Sequence, residues 1–186
     1  MSPIELTAAA LGLINIVLIA RRTVLNYPFG IAMVMLYAVL FAQARLYSAA
    51  LLQVFFLASQ LYGWWYWRRS HAGIGPVPVR TLPAKGWAVS IAAGSIGTLL
   101  LGLAMSRLTD AAEPWWDAAN AAWSMVAQLL TDRRYTQSWP LWVAIDALSI
   151  GLYASQGLMA TAALYAVFML LALWGWMEWW QATEQE

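Results

Sequence analysis

LYSAALLQVFFLASQLYGWWYW, residues 46–67, contains no Asp, Glu, Lys or Arg, and Arg68 and Arg69 follow it directly. An apolar run of about 18 or more residues is long enough to cross the hydrocarbon core of a bilayer as a helix. Three further uncharged runs occupy residues 23–44, 86–106 and 156–177. The sequence therefore predicts an integral membrane protein built from helices.

The composition agrees with a membrane environment and excludes several chemistries. Hydrophobic residues make up 62% of the 186 residues and charged residues 10%, against about 25% charged in ordinary soluble domains. A net charge of +1 provides no basic footprint for nucleic acid. Without Cys, and with a single His, the chain lacks the residues for a zinc site, a disulfide or a Ser-His-Asp triad. We expect no metal and no cofactor.

Seven membrane-spanning helices are predicted, at residues 4–20, 24–44, 46–67, 87–105, 115–130, 139–156 and 158–180. Lys and Arg predict their orientation, because these residues are concentrated in cytoplasmic loops. One face of the membrane would hold Arg21, Arg22, Arg68, Arg69, Arg80, Lys85, Arg133 and Arg134, and the other would hold Arg45 and Arg107. We therefore expect the N-terminus outside and the C-terminus in the cytoplasm.

The first and second halves of the chain resemble each other at an offset of 112 residues. Between residues 21 and 67, 15 of 47 positions are identical to residues 133–179 without a gap. The matches include Arg21-Arg22 with Arg133-Arg134, Pro28 with Pro140, Gly63-Trp64 with Gly175-Trp176, and Trp67 with Trp179. Four crossings separate the two copies, so both would point the same way through the membrane, as in transporters with parallel repeats.

This repeat divides the chain into four parts. Residues 1–67 form a first three-helix repeat, and residues 114–181 form a second. Residues 68–113 hold a cytoplasmic loop, a linker helix and an external loop, and residues 182–186 form a short cytoplasmic tail. The predicted fold is an all-α membrane bundle with a 3+1+3 arrangement of helices.

Polar residues inside the predicted spans indicate a binding site. Asp146 lies near the middle of helix six, where its repeat counterpart is Val34. A carboxylate at this depth costs about 2.5–3.5 kcal/mol to insert, so it must face the bundle interior or a wet cavity. Helical spacing places Trp139, Trp142, Ser149 and Tyr153 on the face of Asp146, with further stripes at Asp117, Asn120, Ser124 and Gln128 and at Gln53, Phe56, Gln60, Trp64 and Trp67.

Amides, carboxylates and indoles of this kind can bind a flat polar ligand, and Trp faces favour a cationic ring. The predicted site, between the two repeats, comprises Gln53, Gln60, Trp64, Asp117, Asn120, Ser124, Gln128, Trp142, Asp146 and Tyr153. A structural interpretation stays open for several of these residues. The three Gln side chains can simply hydrogen-bond neighbouring helices, and Asp117 can stabilise a helix N-terminus.

The class of function that fits best is a small-molecule transporter. The chain has no phosphate-binding Gly-x-x-x-x-Gly-Lys-Ser/Thr motif and few intramembrane acids, so passive facilitation fits better than active pumping. A membrane-embedded enzyme would need a nucleophile and base or metal ligands, for which only Asp and Glu are available. An assembly subunit would need no cavity, and its polar stripes would pair among themselves.

Several blocks resemble the PnuC family of bacterial vitamin transporters. They are Asn26-Tyr27-Pro28-Phe29-Gly30, Gln53-Val54-Phe55-Phe56, Leu61-Tyr62-Gly63-Trp64, Trp116-Asp117, Trp139-Pro140-Leu141-Trp142 and Ser155-Gln156-Gly157. The resemblance implies a homotrimer in the bacterial inner membrane that carries nicotinamide riboside by facilitated diffusion, and a cytoplasmic kinase that traps the substrate by phosphorylation.

The resemblance leaves the substrate open. The family also includes relatives that carry thiamine or other vitamins, and its riboside carriers have Asn where this chain has Asp146. Nicotinamide riboside and thiamine both contain a ring cation, so the additional carboxylate is compatible with either.

Overall fold

A computed structural model describes residues 3–43, 47–70, 76–108, 113–155, 157 and 159–185. Within these residues the secondary structure is seven α-helices: α1 Pro3–Ala20, α2 Asn26–Gln43, α3 Tyr47–Ser70, α4 Ala84–Leu108, α5 Pro114–Asp132, α6 Ser138–Ser155 and α7 Met159–Gln185. The predicted all-α fold with seven helices is confirmed. Four of the predicted helix ends, Ala44, Leu46, Gln156 and Leu158, lie outside the described residues, as do Arg45 and His71.

Four helices extend past the C-terminal ends that hydropathy predicts, among them α4 to Leu108 and α5 to Asp132. α3 continues through Arg68 and Arg69 to Ser70, and α7 continues to Gln185, through most of the predicted tail. A charged side chain marks the level where a span leaves the hydrocarbon core, whereas the backbone keeps its helical hydrogen bonds into the interfacial region. The predicted ends therefore mark the membrane boundary, whereas the helices themselves continue beyond it.

Three helices are long and apolar enough to cross a membrane by length and composition alone. They are Asn26–Gln43, Ala84–Leu108 and Thr161–Glu184, while Leu6–Ala20 is a shorter apolar helix. The helices that carry the predicted polar stripes, α3, α5 and α6, fall outside this group. Polar residues lower their hydropathy, so these helices depend on neighbouring helices to cover their polar faces.

The buried and exposed residues are distributed as expected for a protein surrounded by lipid. Large apolar side chains such as Met35, Leu100 and Leu170 are exposed, while many buried positions are Ala, Ser, Asn or Gly. Between helices in a bilayer, small residues allow close packing and polar residues hydrogen-bond, because lipid is as apolar as Leu. Apolar side chains consequently face outwards.

The chain forms two compact units: Met1–Val79 with Asp132–Arg134 and Trp174–Glu186, and Arg80–Thr131 with Tyr135–Leu173. In the first unit α1 packs against α2, and α2 packs against α3. The loop after α3 is tied within this unit by two hydrogen bonds. Val77 N donates to Arg22 O at 3.0 Å, and Arg134 Nη1 donates to Pro78 O at 2.8 Å.

The ends of α1 and α5 have the same local structure at the repeat offset. Arg22 and Arg134 adopt positive φ angles of 56° and 65°, a conformation that is uncommon for a residue with a side chain. The next residue donates its N–H five positions back in each case, from Thr23 to Leu18 O at 3.1 Å and from Tyr135 to Leu130 O at 2.9 Å. This is the Schellman ending of a helix. Its recurrence supports the predicted repeat.

Two Trp residues at matching positions of the repeat, Trp67 and Trp179, each donate a hydrogen bond to a helix end within the first unit. Trp67 Nε1 donates to Asp132 O at 3.0 Å. Trp179 Nε1 donates to Ala20 O at 3.2 Å and to Ile19 O at 3.1 Å. Trp179 is the repeat counterpart of Trp67, and Asp132 is the counterpart of Ala20. Each Trp thus caps the terminal carbonyls of a helix that belongs to the other predicted repeat.

In the second unit, glycines of α4 lie against aromatic rings of α5. A Cβ on Gly94 would lie 2.8 Å from carbons of the Trp123 ring, and a Cβ on Gly102 would collide with the Trp115 ring. Gly94 and Gly102 share one face of α4 with the buried Ser90. This small-residue face lets the two helices approach closely, as is common between helices in membranes.

Candidate functional site

Asp146 lies at the midpoint of α6 and is 6% exposed. Within the residues that the structure describes, its carboxylate makes no hydrogen bond and no ion pair. α6 begins at Ser138 with Pro140 in its first turn, a position that Pro tolerates because the first N–H groups of a helix have no intrahelical partner. Trp142 lies one turn before Asp146, and Ser149 lies one turn after it.

Two side-chain hydrogen bonds connect α6 to α5 on either side of Asp146. Ser149 Oγ donates to Asn120 Oδ1 at 3.4 Å, and Trp142 Nε1 donates to Thr131 Oγ1 at 3.1 Å. The earlier residue of α6, Trp142, pairs with the later residue of α5, and the later residue, Ser149, pairs with the earlier one, so the two helices are antiparallel here. Residues 124–128 of α5 therefore lie at the level of Asp146.

The polar stripe of α5 follows this junction. Ser124 and Gln128 are both buried, and Asn120, Ser124 and Gln128 follow one another at intervals of about one helical turn. Thr131 continues the same face and was not predicted as a site residue, although its position three residues after Gln128 was the available signal. In the second unit, the polar stripes of α5 and α6 thus face each other. The buried carboxylate of Asp146 lies between the two hydrogen bonds that join them.

Aromatic rings lie toward the C-terminal end of α6. The rings of Tyr153 and Tyr165 are 5.2 Å apart, and Tyr165 contacts Phe168 at 5.7 Å. Tyr153 lies two turns from Asp146 and is half-buried. The face of α6 therefore offers an indole on one side of the carboxylate and a phenol ring on the other.

The first unit contains a separate buried amide cluster around Gln60. Gln60 is 3% exposed, and its Oε1 has no hydrogen-bond partner among the described atoms. A Cβ on Gly30 would lie 2.6 Å from Gln60 Nε2 and 2.8 Å from Asn15 Nδ2, so only glycine leaves room for both amides. Asn15 Nδ2 donates to Asn26 O at 2.7 Å. An isolated Asn in an apolar helix was the sequence signal for Asn15, and it was missed.

Asp132 is fully buried at the end of α5, and the sequence did not single it out. Ser59 Oγ donates to its carboxylate, and Trp67 donates to its carbonyl. A side chain at Gly63 would collide with Asp132 and with Tyr27. Because a carboxylate at a helix C-terminus is disfavoured by the helix dipole, this hydrogen-bonded environment is what stabilises it. In the sequence Asp132 precedes two arginines and looks like one of several solvated loop charges.

The remaining predicted residues have less enclosed positions. Gln53 and Trp64 are half-buried on α3, and Asp117 is exposed in the first turn of α5. That all ten residues form one site therefore stays a prediction. Among the described residues no group of three or more His, Asp or Glu could hold a metal ion.

Apolar helices that carry a buried carboxylate and buried amides are typical of a membrane transporter for small molecules. Residues 2–181 match the family described as "Nicotinamide mononucleotide transporter". The chain belongs to this family, the PnuC family of membrane transporters.

Individual relatives agree with this assignment. The chain is 33% identical over 205 residues to the nicotinamide riboside transporter PnuC of Escherichia coli strain K12, covering 96% of this chain and 85% of that protein. It is 26% identical to the riboflavin/roseoflavin transporter RibM of Streptomyces davaonensis, covering 98% and 86% of the two chains. A crystal structure of the vitamin B3 transporter PnuC superposes with a TM-score of 0.79 at 25% identity, covering 96% of this chain and 81% of that one.

Proposed function

We propose that this protein carries nicotinamide riboside across the bacterial inner membrane by facilitated diffusion, with Asp146 facing the positively charged pyridinium ring. The observation that carries this proposal is the buried carboxylate of Asp146, which makes no hydrogen bond and no ion pair in the described part of the chain. A desolvated carboxylate is unfavourable unless it is paired or wet, so a cationic ligand would satisfy it.

Groups of each unit, taken separately, support the same class of ligand. The hydrogen bond from Trp142 to Thr131 holds the indole one turn from Asp146, and an indole face attracts a cation by about 0.5–2 kcal/mol. In the first unit, the unpaired Gln60 Oε1 is an acceptor for a hydroxyl or amide donor of a ligand. A riboside with a carboxamide ring offers both kinds of donor.

Thiamine is the second candidate, because its thiazolium ring would satisfy Asp146 equally well. The resemblance to RibM makes riboflavin a third ligand to test. Its ring system is uncharged at neutral pH and would leave the buried carboxylate without a counter-charge. The charge of Asp146 therefore favours the two cationic vitamins over riboflavin.

The proposal extends to the cellular arrangement. A cytoplasmic kinase would trap the carried riboside by phosphorylation, and the protein would act as a homotrimer with its N-terminus outside. We infer that the chain itself catalyses no reaction, because the family to which it belongs is one of membrane transporters.

Uptake into proteoliposomes tests the proposal directly. The purified protein is reconstituted, and entry of labelled nicotinamide riboside, thiamine and riboflavin is compared with protein-free liposomes. We expect saturable riboside entry that stops at the outside concentration, is unaffected by a protonophore and is accelerated by unlabelled riboside inside. Entry of thiamine or riboflavin alone would reject the substrate, and protonophore-sensitive accumulation of unmodified riboside would reject facilitated diffusion.

A further inference from the structure

A groove on the exposed side of α3 shares only Trp64 with the predicted polar stripes. It encloses about 440 Å³ and is lined by Leu61, Trp64, Trp65, Arg68 and Arg69. The spacing of these residues places them along one face of the helix over two turns. The first three provide an apolar wall, and the last two place guanidinium groups at its end.

The groove lies at the end of a membrane span. Its apolar residues close the uncharged run 46–67, and Arg68 and Arg69 are the first charges after that run. Leu61 and Trp65 are exposed in the chain. Trp and Arg at this level are positioned at the boundary between hydrocarbon and headgroups, on the side that the Lys and Arg distribution predicts to be cytoplasmic.

The cations of this surface lack acidic partners. In the described residues neither Arg68 nor Arg69 makes a hydrogen bond or an ion pair. The Arg69 guanidinium lies 4.4 Å from the centre of the Trp65 ring, which holds it over the apolar wall. Beside this face, the exposed Arg133 lies 5.5 Å from the ring of Tyr62. Three guanidinium groups are thus held by aromatic rings or left in solvent, and no carboxylate of the described residues neutralises them.

We infer that this groove binds an anionic phospholipid, with the phosphate between Arg68 and Arg69 and an acyl chain along Leu61 and Trp65. The apolar wall matches the acyl chain of such a lipid, and the cationic end matches its phosphate. Each arginine near an anionic headgroup changes the affinity by roughly fivefold. A second copy of the chain fits less well, because it would have to bury two guanidinium groups without a partner.

Native mass spectrometry of the full-length protein in detergent tests this inference, using phosphatidylglycerol and phosphatidylcholine with identical acyl chains. We expect the parent to bind phosphatidylglycerol at least tenfold more tightly. The variant Arg68→Gln/Arg69→Gln should bind it about 30-fold more weakly. Trp65→Ala, which keeps both charges and removes the ring beneath Arg69, should lose about twofold to fivefold.

The matched control removes two charges elsewhere. Arg21 and Arg107 are exposed and are not among the groove residues, so Arg21→Gln/Arg107→Gln should retain phosphatidylglycerol binding within twofold. Equal binding of both lipids, or unchanged binding by the groove variant, would overturn the inference. Displacement of the lipid by equimolar glycerol 3-phosphate would assign the site to a soluble phosphate instead. A changed oligomer distribution in the groove variant would assign the surface to a second copy and would also overturn it.

Discussion

Asp146 and Val34 occupy matching positions of the predicted repeat, in the middle of α6 and α2, and both are buried. An apolar side chain at the matching position of the first repeat indicates that the repeated fold does not by itself require a carboxylate there. A residue that is expensive to insert and dispensable for the bundle is best explained by what it binds.

Replacement of Asp146 by Asn tests its charge. Asp146→Asn keeps the shape of the side chain and should weaken binding of nicotinamide riboside by about 1–3 kcal/mol, because a charge-assisted contact is lost. Isothermal titration in detergent measures this change. The neutral dihydro form of the riboside should bind parent and variant within about twofold, and the exposed Glu178→Gln serves as the charge control. Equal loss for both ligands would assign Asp146 a structural role.

Gln60 offers a test in which stability and binding respond differently. Its Oε1 is buried and unpaired in the described residues, so Gln60→Met removes a polar atom that contributes nothing to folding there. We expect thermal stability equal to or above that of the parent, with riboside binding weakened by about 1–3 kcal/mol. A variant that loses stability while it keeps full affinity would show that the amide holds helices together.

At the scale of single helices, indole N–H groups of one predicted repeat donate to terminal helix carbonyls of the other. Trp67→Phe keeps the aromatic packing against Tyr27, at 5.5 Å, but removes the donor to Asp132 O. A buried carbonyl without a donor costs about 1–3 kcal/mol, so the melting temperature in detergent should fall. Trp65→Phe, at an exposed ring two residues away, should leave it unchanged. Equal melting of parent and Trp67→Phe would contradict the capping role.

The packing of α4 on α5 depends on the glycine face. Gly94→Ala places a methyl group against the Trp123 ring and should destabilise the protein by about 1–3 kcal/mol through overpacking. Gly151→Ala in α6 is the matched control, because no described atom lies within 4 Å of its added methyl group. It should be neutral or stabilising by up to about 1 kcal/mol through helix propensity. Fluorescence-detected size exclusion after heating measures both, and equal loss in the two variants would refute the packing argument.

The sequence predicted the helices well and the contacts between them poorly. Uncharged runs identify spans because the bilayer imposes their length, and periodicity identifies the polar face of α5 and α6. Neither signal indicates which face of one helix packs against which face of another. Asp132 was missed because its burial depends on Ser59 of α3, 73 positions earlier in the chain. The role of Gly30 was missed for the same reason, since it depends on Gln60 of α3, whereas Asn15 carried a local signal as an isolated Asn in an apolar helix.

For the whole molecule, orientation remains a prediction and is open to direct test. The chain has no Cys, so Ser106→Cys and Gln181→Cys each introduce a single label at an exposed position. An impermeant maleimide added to intact spheroplasts should label Ser106→Cys, whereas Gln181→Cys should react only after permeabilisation. The reverse pattern would invert the predicted topology. Superposition of the three-helix repeats about the membrane normal likewise stays a prediction, supported locally at Arg22 and Arg134.

The hydrogen bonds that Trp67 and Trp179 donate to helix ends of the opposite repeat bear on how such a chain arose. Residues 1–67 alone would contain the donor Trp67 but not its acceptor, and would leave the carbonyls of Ile19 and Ala20 without the donor that Trp179 supplies. In a half-length ancestor with this sequence pattern, pairing with a second copy of itself would have supplied the indole donors to these helix ends. Duplication and fusion would then have made a pre-existing dimer permanent, after which Asp146 and Gln60 could arise in one half without appearing in the other.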